Sequence, residues 1–62
     1  MEHAKMLKAN QQLMTMWELL AAEFGGWSAS YPRFTEVREA FLANEGIDLN
    51  DYFDWVGEVE GL

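Results

Sequence analysis

The stretch Lys5–Phe24, KMLKANQQLMTMWELLAAEF, decides how the rest of the chain has to be arranged. Wound at about 100° per residue, it sets Met6, Leu13, Trp17, Leu20 and Phe24 in one stripe. Leu7, Met14 and Ala21 lie on one flank of that stripe and Met16 on the other. The apolar arc covers roughly half the circumference, wider than a minimal helix seam. Lys5, Lys8, Gln11, Gln12, Thr15, Glu18 and Glu23 hold the polar side or its margins. Most of these residues are good helix formers, so an amphipathic helix 1 over about 5–24 is expected.

The chain beyond Gly25 is too short to cover the whole arc. The surplus therefore points to association with another surface, either a second copy in a homodimer or a different protein. The residues that would meet the other chain are Met6, Leu7, Asn10, Leu13, Met14, Trp17 and Ala21. Met6, Leu13 and Leu20 repeat at heptad spacing, but three heptads are too few for an extended coiled coil. Asn10 falls inside the arc. It is either a polar residue that fixes register at a seam, at a cost in stability, or a half-wet residue at the edge.

Working outward, Met1–Ala4 reads as a polar lead in which the single histidine, His3, is a solvated side chain. Gly25 supplies a C-terminal stop and Gly26 a free turn. The connection Gly25–Pro32 carries Trp27 and Tyr31. Trp27 either folds back to plug a small core or stands out as an aromatic anchor for a partner. Pro32 suits the first turn of helix 2, expected at about 33–43 with Ser30 or Thr35 as its cap. Phe34, Val37 and Phe41 form its inward face, and Gly46 is its natural left-handed terminator. Helix 3, at about 49–60, opens with Asp48 as N-cap, Asp51 as a short capping-box acid, and Ile47 and Tyr52 as a hydrophobic staple. Its inward face reads Leu49, Tyr52, Phe53, Val56 and Val59. The expectation is a single all-α domain, 1–62, of three helices with a long N-terminal one that dimerises.

Sixty-two residues bury only about 60% of their unfolded surface, which makes stability marginal without a staple or a partner. No cysteine is present, so disulfides and thiolate-held metals are not available as staples. Nine aromatic residues supply the apolar area instead, since aromatics bury the most surface per residue. Eleven acids against four bases give a net charge of −7, which argues against direct contact with nucleic acid through a basic face. Neither a signal peptide nor a membrane span is read from the sequence, and a cytoplasmic location is the expectation.

The clearest charged feature lies near the C-terminus. Asp51, Asp54 and Glu58 fall at i, i+3 and i+7 with Trp55 at their edge. They form either an acidic face that docks on a basic surface with Trp55 as its anchor, or a solvated face that keeps the chain in solution. A calcium loop starting at Asp48 fails, because Tyr52 and Phe53 stand where a ligand and a glycine are required. Acid–base catalysis needs a pocket that separates pKa values, and a nucleophile needs a base. The sequence offers neither, nor a phosphate-binding glycine loop. Helix 3 lacks the Lys or Arg of a helix–turn–helix reader. No enzyme activity, cofactor or metal is expected, and no motif is specific enough to name a family.

The function expected is therefore binding. Compact, acidic, cysteine-free chains of this size are a common style among bacterial and phage accessory proteins. Such proteins act as stoichiometric inhibitors or modulators of larger partners, including host proteins. Two alternatives remain open: a structural subunit or assembly chaperone that uses helix 1, and a DNA mimic that blocks a nucleic-acid-binding protein.

Overall fold

A computed structural model describes residues 3–59 of the chain. Helix α1 spans His3–Phe24, α2 spans Trp27–Asn44 and α3 spans Leu49–Val59, and no strand occurs among the described residues. The final residues expected in helix 3, from Glu60 onward, lie outside the described part. At about 1.5 Å per residue, α1 runs the length of a molecule that measures 34 × 26 × 17 Å. Its principal neighbour is α2, and α3 touches both more lightly.

Met6, Ala9, Leu13 and Ala21 are buried on α1. Phe34 and Leu42 of α2, Ile47 of the second turn, and Tyr52 and Trp55 of α3 complete the enclosed core. Met16, Trp17, Leu20, Phe41, Leu49 and Val56 pack around it half-covered. Burying one large apolar side chain contributes about 1.5–3 kcal/mol, so few contacts here are dispensable.

Both helix ends that precede a turn close on a left-handed glycine. Gly25 has φ +83°, and the Gly26 N–H donates to Ala21 O at 2.8 Å, the six-to-one bond of a Schellman cap. At the second turn Gly46 has φ +72°. Its N–H donates to Ala43 O at 3.1 Å, and that of Ile47 donates to Leu42 O at 2.9 Å. Ile47 and Leu42 are both buried, which is the apolar contact that accompanies this cap. The chain then enters α3 with the Tyr52 N–H donating to Asp48 O at 3.0 Å. Ile47 and Tyr52 are buried on either side of that N-cap. Among the described residues neither Asp48 nor Asp51 makes a side-chain hydrogen bond.

The start of α2 departs from the sequence expectation. The helix begins at Trp27 and not near Arg33, so Gly25–Pro32 is a tight turn followed by helix. Gly26 is the N-cap without a side-chain bond, so neither Ser30 nor Thr35 caps the helix. Pro32 lies in the second turn, where its missing N–H leaves one carbonyl, that of Ser28, without a helical partner. Ser28 is exposed, and water can satisfy that group.

What holds the extra turn is a contact with α1. The indole N–H of Trp17 is shared between Ser30 Oγ at 3.0 Å and Trp27 O at 3.2 Å. The Ser30 hydroxyl itself donates to Trp27 O at 3.0 Å. Ser30 is fully buried, so this knot satisfies a hydroxyl that would otherwise be costly to enclose.

The knot is open to a double-mutant cycle. Ser30→Ala and Trp17→Phe should each destabilise the fold by about 1–2 kcal/mol, or roughly 4–8 °C per kcal/mol in Tm for a chain this small. The two losses should overlap by about 1 kcal/mol because they remove the same bond. The ring volume lost from Trp17 cancels in the cycle. Full additivity in thermal or urea unfolding would show that the bond contributes nothing.

Candidate functional site

The seven residues of α1 expected at an interface separate into two groups. Met6 and Leu13 are wholly buried in the core shared with residues of α2 and α3, and Ala21 is 9% exposed. Trp17 is half-buried and stacked on Phe34, with ring centroids 4.5 Å apart and planes 9° from parallel. Asn10 is half-buried at the edge of the covered face. Its Oδ1 accepts the Tyr52 hydroxyl at 2.6 Å and ties α3 to α1. Met6, Leu13 and Ala21 are thus covered within the monomer and Asn10 and Trp17 half-covered, in part because α2 is longer than its sequence implied. Leu7 and Met14 are left at 41% and 45% exposure. They stand seven residues apart, and so on one side of α1.

On α3 the acids and the aromatic part company. Asp51, Asp54 and Glu58 are exposed, on the side of α3 away from the core. Among the described residues Arg33–Glu36 is the one ion pair, 3.1 Å long and largely in solvent, so none of the three acids has a cation partner there. Trp55, expected at their edge, is buried at 8%. Its indole N–H donates to His3 Nδ1 at 2.9 Å, with the two rings 5.5 Å apart. His3 is thus an acceptor that pins α3 and is not simply solvated. The helix is rotated from the expected orientation: Trp55 turns inward, while Phe53 and Val59, read as core, are 43% and 49% exposed. The cause lies on α1, where His3 and Asn10 each offer an acceptor to a ring of α3.

A third feature escaped the sequence reading because it depends on the extra turn of α2. With the helix starting at Trp27, Trp27 and Tyr31 fall at i and i+4 and share a side. Both face Trp17, at centroid distances of 5.2 Å and 5.5 Å. They remain 46% and 44% exposed. Trp27 is thus both a partial cover for Trp17 and a surface aromatic. Trp17, Trp27, Ser28 and Tyr31 line an open cavity of about 360 Å³.

Further along the same side of α2 the Arg38 guanidinium lies 4.8 Å from the Phe53 ring, 5.4 Å from Phe34 and 6.0 Å from Tyr31. Its Nε is buried without a hydrogen-bond partner. Attraction to the ring faces replaces a carboxylate here. The signal available in the sequence was the i, i+3, i+7 spacing of Tyr31, Phe34 and Arg38, visible only once the helix is extended backward.

Among the described residues no three His, Cys, Asp or Glu side chains are grouped to hold a metal ion. No helix there is long and apolar enough to cross a membrane. Comparison with protein-family models, with curated proteins and with solved structures finds no match to this chain.

Burial raises the Tyr52 phenol above its usual value of 10.0, with the charge of Arg38 acting in the opposite sense. The folded state therefore holds that proton more tightly than the unfolded chain does. The resulting stability is complete below about pH 10 and is lost as pH rises through the folded value. Tyr52→Phe should cost about 1 kcal/mol at pH 8, where the bond to Asn10 is intact. The gap between the two proteins should narrow in urea titrations above pH 10. A gap that stays constant with pH would mean that the phenol is not held in this way.

Proposed function

We propose that this chain acts by binding another protein, as a stoichiometric modulator or inhibitor of a larger partner, and not by catalysis. The observation that carries the reading is the outer side of α3. Asp51, Asp54 and Glu58 are exposed there and unpaired among the described residues, in a chain of net charge −7. A rigid helix that presents one sign of charge speeds encounter with the opposite sign and disfavours wrong partners. The partner surface is accordingly basic. Trp55 takes no part in the contact, since it is enclosed by His3 and Tyr52.

The test begins with affinity capture from the source cell, followed by titration of the captured partner. The triple variant Asp51→Asn, Asp54→Asn, Glu58→Gln should keep its fold, bind about tenfold more weakly at low salt, and lose most of its salt dependence. Unchanged affinity would remove α3 from the interface. A partner that normally holds DNA should release this chain when duplex is added, which is the outcome expected of a DNA mimic.

A second reading is favoured by Leu7 and Met14, which leave two large apolar side chains in solvent on one side of α1. In that reading α1 is amphipathic beyond what its own fold uses, and a second copy or an assembly partner covers the remainder. Leu7→Asp with Met14→Asp should convert a dimer to monomer in sedimentation while leaving helicity unchanged. Leu13→Asp or Trp17→Asp should instead unfold the monomer, since Leu13 is wholly buried and Trp17 stacks on Phe34 and bonds Ser30. A native 7.2 kDa species at tens of micromolar would end the homodimer reading.

A further inference from the structure

The cavity between α1 and the first turns of α2 has the form of an aromatic box. Trp17 is its back. Trp27 stands at 77° to that ring and Tyr31 at 48°, each about one ring-contact distance away. Trp17, Trp27, Ser28 and Tyr31 line an open recess of about 360 Å³ there. That lies at the small end of ligand pockets. Ser28 is the non-aromatic residue of the lining.

The box is held before anything enters it. The indole N–H of Trp17 is fixed by Ser30 Oγ and Trp27 O, and the ring is stacked on Phe34. Its plane therefore cannot swing. Trp27 accepts that bond through its backbone carbonyl, and with its indole packed at 77° to Trp17 the residue stays 46% exposed. Preorganisation of this kind lowers the ordering cost of binding.

We propose that this box receives a quaternary ammonium group, carried on a partner protein as a trimethylated lysine side chain. The faces of aromatic rings attract cations, tryptophan most strongly, and the chain's net charge of −7 adds a favourable background field. An ordinary lysine ammonium keeps a tight hydration shell and needs more acceptors than the hydroxyls of Ser28 and Tyr31 supply. A methyl-covered cation sheds its water readily and asks only for ring faces. Arg38 approaches Tyr31 to 6.0 Å and competes for that ring, so Trp27 is the stronger wall. The open mouth favours a side chain delivered by a docked polypeptide over a free small molecule, which would stay half in water. The source of the cation rests on the protein-binding reading above, whereas the chemistry rests on the box alone.

The experiment uses the full chain and follows tryptophan fluorescence and indole N–H resonances. Four probes are titrated: a trimethyllysine peptide, the unmodified lysine peptide, the peptide with carbon in place of the side-chain nitrogen, and choline. The trimethyllysine peptide should saturate, with the neutral carbon isostere and the unmodified peptide each about tenfold weaker. Trp27→Ala should abolish saturation without altering helicity, and Ser30→Ala should weaken binding by loosening the back of the box. Equal binding of the neutral isostere would make this an apolar socket and overturn the proposal. Choline binding as tightly as the peptide would overturn the protein source. Absence of saturation by any probe would overturn the box itself. That failure would leave the acidic-face reading standing, because the triple variant of α3 tests different residues.

Discussion

One donor, the indole N–H of Trp17, governs how this chain packs. It is shared by a carbonyl and a hydroxyl of α2, and both groups belong to a turn of helix that the local sequence does not favour. Gly26 caps that turn without a side chain, and Pro32 interrupts its ladder. The tertiary bond compensates for weak local preference, and the consequence spreads. Because α2 starts six residues early, Ser30 becomes interior, Trp27 and Tyr31 become neighbours on one side, and Arg38 comes into reach of three rings.

A small core sets the second constraint. Two turns closed by left-handed glycines fold α2 and α3 back onto α1, and α3 is then fixed by two ring-to-acceptor bonds, Tyr52 to Asn10 and Trp55 to His3. Those bonds decide which way α3 is rolled. A roll set by apolar periodicity alone would bury Phe53. The roll adopted buries Trp55 and leaves Phe53 under the guanidinium of Arg38. Polar groups at the margin of the core thus choose among orientations that hydrophobic burial alone would leave close in energy.

This explains what could be read from the sequence and what could not. Helices α1, α2 and α3 followed from apolar spacing. The turn at Gly46 followed from residue grammar, since Gly46, Ile47 and Tyr52 act within a few positions of one another, although the side-chain cap expected of Asp48 is not formed. The start of α2 did not, because its support comes from Trp17, ten and thirteen residues away. The roll of α3 did not either, since its acceptors lie forty-two and fifty-two positions distant. On α1 the width of the apolar arc was legible but its apportionment was not. Met6 and Leu13 were consumed by the fold, whereas Leu7 and Met14 were left at the surface.

The same division bears on function. In a chain of this size the residues best suited to hold a partner are those the interior also needs, so a binding surface has to be assembled from the remainder. Three parts of that remainder bear on the readings above: the acids of α3, the pair Leu7 and Met14 on α1, and the rings around Trp17. Only the last is braced from within by the bond that defines the fold. A partner that engages the rings therefore meets a surface whose geometry is set before contact. In the proposed reading, the acids on exposed side chains of one helix would contribute field and rate more than fit. The exposed acids and the braced rings thus lie on different helices.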